Sequence, residues 1–155
     1  MRRITARASR RLPQPPQQVF DYVMPVELNT VVKRWGPLPG VKGVRDQSGA
    51  WDHVGATRTV LLEDGSSAHE ELTSVNPPHH FGYSFDLGPP TSLIAPNAAG
   101  TWWFFATDDG GTELEWAWAL APRPGAGLFI EGVLVPLWER YAAQALEAIE
   151  AGLAR

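Results

Sequence analysis

The hydrophobic pattern begins as a strand and changes period after a proline cluster. Residues 3–11 alternate apolar and polar side chains, which is the period of a half-buried β-strand. Pro15 and Pro16 suit the first turn of a helix, and residues 17–23 continue with apolar side chains on one helical stripe. A second short helix is predicted over residues 26–33. The start of the chain therefore predicts one strand followed by two short helices.

The middle of the chain is a series of short strands separated by Gly, Pro, Asn or Asp turns. The predicted strands cover residues 41–47, 51–62, 67–76, 80–87, 101–107 and 112–120. Consecutive strands with short turns form an antiparallel meander. The connection over residues 88–100 is longer than a hairpin needs, and such connections are often functional. It is either a cap in which Leu93 and Ile94 close a cavity mouth, or a disordered tip.

Residues 127–153 return to helical spacing. Apolar side chains recur four residues apart, at Phe129, Val133, Leu137, Tyr141, Ala145 and Ile149. Pro136 cannot donate to the carbonyl of Gly132, so this helix should kink or start anew near Leu137. A sheet with one apolar face must bury that face, and the long helix is the element available to cover it. The predicted fold is α+β, with a seven-stranded antiparallel sheet around the last helix.

Length and residue types exclude several kinds of site. The 155 residues fit one domain over residues 1–155, and the chain has no cysteine, which excludes disulfides, thiolate zinc sites and cysteine nucleophiles. His79 and His80 are adjacent, so on a strand they point to opposite faces and cannot share a metal ion. No phosphate loop, dinucleotide fingerprint or nucleophile elbow is present. We therefore predict no metal and no cofactor.

Charge and hydropathy bear on partners and location. The net charge of −4 argues against nucleic-acid binding, although five arginines lie within residues 1–13. No apolar run has the length that a signal peptide or a membrane span needs. We expect a cytoplasmic protein without stable membrane insertion. The oligomeric state is left open, with a homodimer among the alternatives.

The hairpin of residues 55–78 places one arginine opposite two adjacent glutamates. A two-residue turn would pair Arg58 with Glu71, whereas a three-residue loop with a left-handed Gly65 would pair Arg58 with Glu70. The second register places apolar residues opposite one another, so the pattern favours it. The pair is then either a partly buried ion pair that orients a ligand or a cross-strand pair at the sheet surface.

Several local segments, taken in order, resemble one superfamily. They are PPQQVFDYV at the first helix, GATRTVLLEDG and EEL in the central hairpin, and FGYSF after NPP. In this order they resemble the helix-grip fold of START-like lipid-transfer domains, birch-pollen-allergen type proteins and the bacterial polyketide cyclase/dehydrase family. The resemblance implies a cavity between sheet and last helix that takes a hydrophobic small molecule. It also implies that Glu70 and Leu72 face that cavity.

The predicted cavity face supplies a set of candidate ligand-binding residues. The set is Arg58, Val60, Leu62, Glu70, Leu72, Phe81, Tyr83, Phe85, Trp103, Phe105, Trp116, Trp118, Phe129, Val133 and Leu137. The strand GTWWFFAT is apolar on both faces, so alternation does not decide between its two tryptophans, and Trp103 with Phe105 is the weakly favoured choice. In TELEWAWAL the pattern favours the tryptophans, although some relatives place an acidic residue inside near the position of Glu115.

Three hypotheses for the function remain. The first is a non-catalytic binder of a lipid-, polyketide- or aromatic-like molecule. The second is a polyketide cyclase or dehydratase, in which Arg58 holds an enolate or carboxylate, Glu70 acts as a base and Tyr83 assists. The third, a module for a protein partner on the same scaffold, predicts a core filled by side chains instead of a cavity.

Overall fold

Seven antiparallel strands form one sheet, in which the first strand pairs with the last and the others follow in sequence. The computed structural model describes residues 3–89 and 91–155. The strands are β1 (Ile4–Leu12), β2 (Val41–Arg45), β3 (Thr57–Leu62), β4 (Ser67–Asn76), β5 (His80–Leu87), β6 (Asn97–Ala106) and β7 (Thr112–Ala121). Their order across the sheet is β1-β7-β6-β5-β4-β3-β2. The predicted meander is therefore confirmed, and it places residues of distant sequence on one concave face.

Two short helical segments follow β1, and only the first is an α-helix. Helix α1 spans Pro16–Val23 and buries Val19, Phe20 and Val23 against the sheet. The predicted helix over residues 26–33 is wrong, because only the 3-10 turn Leu28–Thr30 forms there. The carbonyl of Val32 accepts a hydrogen bond from the amide of Val41 at the start of β2, so it is engaged by the sheet and not by a continuing helix.

Strand β3 is shorter than predicted. Residues 51–56 form a turn region instead of a strand, with Gly55 at a φ of 94° that a strand does not allow. Strand β2 ends at Arg45, where Asp46 takes a φ of 54°. Strand β6 begins at Asn97, earlier than predicted, so the loop before it is shorter than the sequence suggested.

The central hairpin has the register that the apolar pattern favours. Arg58 pairs with Glu70 and Val60 with Ala68, while Thr57 pairs with Glu71. Gly65 has a φ of 89° and ends a three-residue loop over residues 63–65. The left-handed glycine absorbs the extra residue, which turns Glu70 inward and leaves Glu71 exposed.

The last helix covers the concave face of the sheet. A short α2 (Gly127–Phe129) and a π-helical turn at Ile130–Leu134 lead into α3 (Val135–Leu153). Pro136 lies in the first turn of α3, directly after the π-helical turn, which interrupts the regular α-helical hydrogen bonding next to the proline. This agrees with the predicted new start near Leu137.

The face predicted for the first part of this helix is wrong. Phe129 is 50% and Val133 is 44% exposed, and Leu137 is half-buried. A spacing of four residues advances by about 40° beyond a full turn at each step, so a strict four-residue series leaves its starting face within a few turns. The C-terminal members of the series, Ala145 and Ile149, are buried as predicted.

Candidate functional site

A cavity of about 140 Å³ lies between the concave face of the sheet and the last helix. Its walls come from strands β2 to β7, the segment after the 3-10 turn and the last helix. The lining residues of the predicted set are Arg58, Val60, Leu62, Glu70, Tyr83, Phe85, Trp116 and Trp118. Trp102, Leu134, Trp138 and Tyr141 also line it. The cavity is therefore mostly aromatic and aliphatic, with one charged pair in its wall and Asp64, Ser66 and Thr91 as further polar lining residues.

That charged pair is Arg58 and Glu70. The Arg58 Nε donates a hydrogen bond to Glu70 Oε1 over 2.9 Å, and both residues are only 8% exposed. The Arg58 guanidinium also lies over the Trp51 ring, 3.9 Å from its centroid. A buried ion pair costs desolvation, so its presence is weak evidence for a contribution to the stability of the fold.

Burial affects the protonation of this pair. Desolvation raises the pKa of the Glu70 carboxyl above its ordinary value, and the neighbouring Arg58 guanidinium opposes this without cancelling it. A carboxyl group with a raised pKa is able to take and return protons closer to neutral pH than a surface glutamate does. The site can thus present either a neutral carboxylic acid or a paired carboxylate.

Tyr83 forms a second polar group in the cavity wall. Its hydroxyl accepts hydrogen bonds from Trp116 Nε1 at 3.1 Å and from Trp118 Nε1 at 3.4 Å. Tyr83 pairs across the sheet with Gly100, and Gly100 pairs with Trp118. A Cβ atom at position 100 would collide with the Tyr83 ring and hydroxyl. The absence of a side chain at Gly100 therefore lets Tyr83 reach the tryptophans two strands away.

The tryptophans pack as one cluster. Trp102 and Trp116 stack with centroids 4.6 Å apart and planes 9° from parallel. The Trp138 ring from α3 lies 5.1 Å from both Trp116 and Trp118. Trp138 Nε1 is buried and has no acceptor among the residues that the structure describes. The cluster joins the helix to β6 and β7 and forms an aromatic wall in which the Trp116 and Trp118 rings meet edge to face, with their planes 90° apart.

The structure places the remaining predicted residues elsewhere. Leu72 and Phe81 are buried on the same face but belong to the packed core, away from the cavity. The choice of Trp103 and Phe105 is wrong, since Phe105 is 44% exposed and Trp103 packs on the outer face against His80. The inward residues of this strand are Trp102 and Phe104. Glu115 faces outward as well, where it approaches Arg7 at 3.8 Å.

The loop before β6 contributes to the cavity mouth. Gly88, Pro89 and Thr91 line the cavity, whereas Leu93 is 64% exposed and absent from the lining. The carbonyl of Ile94 accepts a hydrogen bond from the amide of Arg123, which ties this loop to the segment before α2. Pro90, in the middle of the predicted cap, lies outside the described residues.

An open groove lies behind the charged pair. It has a volume of about 700 Å³ and runs between α1, the 3-10 turn and the loop around Trp51. Arg58 and Leu28 line both this groove and the cavity. Three carboxylate residues, Asp21, Glu27 and Asp52, also border it.

Neither a metal site nor a membrane span is found in the described part of the chain. Residues 3–89 and 91–155 contain no group of three or more His, Asp and Glu side chains arranged to hold a metal ion. Among these residues, no helix combines the length and the hydropathy of a membrane-spanning segment.

Comparison with solved structures shows the fold. A protein of Nitrosospira multiformis superposes with a TM-score of 0.72 at 18% identity, over 97% of this chain and 96% of that one. Ara h 8.0201 gives 0.70 at 16% identity, with 99% of each chain covered. A Mycobacterium smegmatis protein gives 0.65 at 20% identity, over 97% of this chain and 90% of that one. These likenesses confirm the helix-grip fold.

Comparison with curated proteins gives no match. A family model described as polyketide cyclase / dehydrase and lipid transport matches residues 3–154. This match covers nearly the whole chain and supports the binding of hydrophobic molecules in general. The chain therefore belongs to the polyketide cyclase / dehydrase and lipid transport family.

Proposed function

We propose that the protein binds a small aromatic molecule in the cavity under the last helix. The observation that carries this proposal is the buried Arg58–Glu70 pair in the wall of a mostly apolar cavity. The pair orients a polar group of the ligand, and the tryptophan wall packs against its ring. A protein-partner module would instead need no such space, so the cavity favours a small ligand.

Cavity size narrows the ligand class. A dry cavity of about 150 Å³ in another protein takes a molecule such as benzene. The volume here is about 140 Å³, so a one-ring aromatic fits without rearrangement. An extended lipid chain would need the helix or the loop before β6 to move outward. We therefore favour an aromatic ligand over a lipid or a long polyketide.

Calorimetric titration with one-ring aromatics tests this proposal. Ala68 lines the cavity and its neighbour His69 is exposed on the other face, so the two positions form a matched pair. Ala68→Phe fills the cavity and should abolish binding, while His69→Phe should leave binding unchanged. Cooperative thermal unfolding of both variants shows that they are folded. Equal binding by the two variants would exclude this cavity as the site.

A fatty acid provides the comparison ligand in the same titration. We expect much weaker binding of palmitate than of a one-ring aromatic. Mass spectrometry of molecules extracted from protein purified without heating gives an independent result. Recovery of long-chain lipids alone would contradict the aromatic proposal.

The raised pKa of Glu70 favours a second candidate, a cyclase. Glu70 would remove a proton from a carbon flanked by two carbonyls, and Arg58 would hold the resulting enolate oxygen. The enolate carbon would attack a third, more distant carbonyl of the same chain, and Glu70 would return its proton to the new alkoxide. Chromatography of a poly-β-ketone thioester incubated with wild type and Glu70→Gln tests this. A cyclisation rate with wild type that equals the rate in buffer alone would refute the cyclase proposal.

A further inference from the structure

The Tyr83 hydroxyl has an unusual set of hydrogen bonds. Both of its protein partners are indole N–H groups, from Trp116 and Trp118. An indole nitrogen donates and cannot accept, so the direction of both bonds is fixed. The two lone pairs of the phenol oxygen are therefore in use, and only its proton is left to form a further bond.

Among the residues that the structure describes, none accepts a hydrogen bond from this hydroxyl. Tyr83 and both tryptophans line the cavity, so the hydroxyl lies among residues of its wall. Burial, the largest effect, raises the pKa of Tyr83, and this keeps the proton on the oxygen at neutral pH. The wall thus carries a hydrogen-bond donor whose partner must come from the contents of the cavity.

Two features of the fold hold the donor in place. Gly100 leaves the space through which the Tyr83 ring crosses β6, and a Cβ atom there would overlap it. The Trp138 ring packs against both indoles at 5.1 Å and holds them against the sheet. Hydrogen bonds accepted by a hydroxyl polarise it and make its own proton a better donor. The two indoles therefore strengthen the donor as well as position it.

We propose that Tyr83 donates a hydrogen bond to a carbonyl oxygen of the bound molecule, so that the ligands are aryl carbonyl compounds. A carbonyl oxygen accepts this hydrogen bond and carries no hydrogen of its own that would need an acceptor. A ligand hydroxyl could accept the same bond, but it could not donate its own proton to the Tyr83 oxygen, whose two lone pairs are occupied by the indoles. This inference rests on the proposed function and adds a chemical class to it: Tyr83 selects ligands by their acceptor oxygen.

Two ligands of the same shape test the inference. Acetophenone has a C=O group where α-methylstyrene has C=CH₂, and both have one aromatic ring. Titration calorimetry should show that wild type binds acetophenone roughly tenfold more tightly, a factor that corresponds to about 1.4 kcal/mol. Binding of both with equal affinity would overturn the inference and leave the proposed function standing. Binding of neither would refute the proposed function itself.

A matched pair of variants identifies the donor. Tyr83→Phe should reduce the affinity ratio to about one by weakening acetophenone binding alone. Tyr141 also lines the cavity, but its hydroxyl already donates to the carbonyl of Pro39 at 2.7 Å. Tyr141→Phe should change both affinities by the same factor and keep the ratio. A ratio that survives in Tyr83→Phe would show that another group is the donor.

A spectroscopic measurement covers the case in which Tyr83→Phe does not fold. The ¹³C resonance of carbonyl-labelled acetophenone moves downfield when its oxygen accepts a hydrogen bond. On binding to wild type it should move downfield from its position in an apolar solvent. A bound resonance at the apolar-solvent position would overturn the inference without any variant.

Discussion

Gly100 lies directly opposite Tyr83 in the sheet, and the space where its side chain would be is filled by the tyrosine ring. The tyrosine thereby crosses one whole strand and bonds to tryptophans on the next. A glycine in the middle of a strand usually weakens it, because it loses more backbone entropy and packs nothing. Here the glycine is part of the arrangement that places a hydroxyl in the cavity wall.

The first prediction concerns this glycine. Gly100→Ala should lower the free energy of unfolding by about 1–3 kcal/mol, because the new methyl group overlaps Tyr83. Gly43, in β2, is the matched control, since a Cβ there meets nothing within 4 Å. Gly43→Ala should be close to neutral. Urea denaturation measures both.

A double variant separates overlap from a general effect on β6. If the cost of Gly100→Ala arises from Tyr83, most of it should disappear in a Tyr83→Leu background, where the shorter side chain leaves room. An equal cost in both backgrounds would place the strain elsewhere.

The second prediction concerns the buried ion pair. Arg58→Leu leaves the Glu70 carboxyl buried without its partner, and should lower the free energy of unfolding at neutral pH by about 3–5 kcal/mol. Replacing both residues by leucine should recover most of this loss. Arg10, whose pair with Glu150 is half-exposed, is the control, and Arg10→Leu should cost less than about 1 kcal/mol. Equal costs for the two arginine variants in urea denaturation would contradict the prediction.

The third prediction concerns the pH dependence of stability. The pKa of Glu70 is raised in the folded protein above its ordinary value of 4.5, mainly by desolvation. The folded state then holds a proton that the unfolded state has released, so this contribution to stability is present below 4.5 and is lost as pH rises through the higher folded value. The free energy of unfolding of wild type, relative to Glu70→Gln, should fall as pH rises from 4.5 to neutral. A difference that stays flat or rises would show that Arg58 outweighs desolvation.

The fourth prediction compares two adjacent tryptophans. Trp102 is buried in the cavity wall and core, while Trp103 is half-buried on the outer face. Trp102→Ala should lower the free energy of unfolding by about 3–5 kcal/mol. Trp103→Ala should cost on the order of 1 kcal/mol. Guanidinium denaturation of both variants compares the two losses in free energy of unfolding. A larger loss for Trp103→Ala would indicate that Trp103, and not Trp102, is the buried residue.

Much of the fold follows from alternation in the sequence. The hairpin register could be predicted because a one-residue shift would have turned His69 and Glu71 toward the apolar face. Gly65 offered the left-handed residue that the correct register needs. Where one face of a strand is apolar and the other polar, the alternation in the sequence is enough to predict the register.

The same reasoning fails where the pattern is symmetric or drifts. Residues 102–105 are aromatic on both faces, so only the pairing of β6 with its neighbours decides that Trp102 is inside. In the last helix, the four-residue spacing pointed to Val133, whereas Leu134 and Trp138 line the cavity. The π-helical turn adds a further rotation there, and its position depends on packing against the sheet.

Gly100 shows a third limit of prediction from the sequence. It stands at the end of a loop-like run, and its role appears only when Tyr83 and Trp118 are known to be its cross-strand neighbours. A glycine inside a strand is a signal of close approach by another group, but the sequence predicted that this strand begins only after Gly100, at residue 101. The sequence does not say which group approaches, because the partners lie on other strands.

Arg58 borders both the enclosed cavity and the open groove behind it. The Arg58 side chain therefore lies between the two spaces, together with Leu28. We expect a small residue at position 58 to widen the connection between them, on a side that Asp21, Glu27 and Asp52 make acidic. The arginine that pairs with Glu70 is thus also part of the partition between the cavity and the groove.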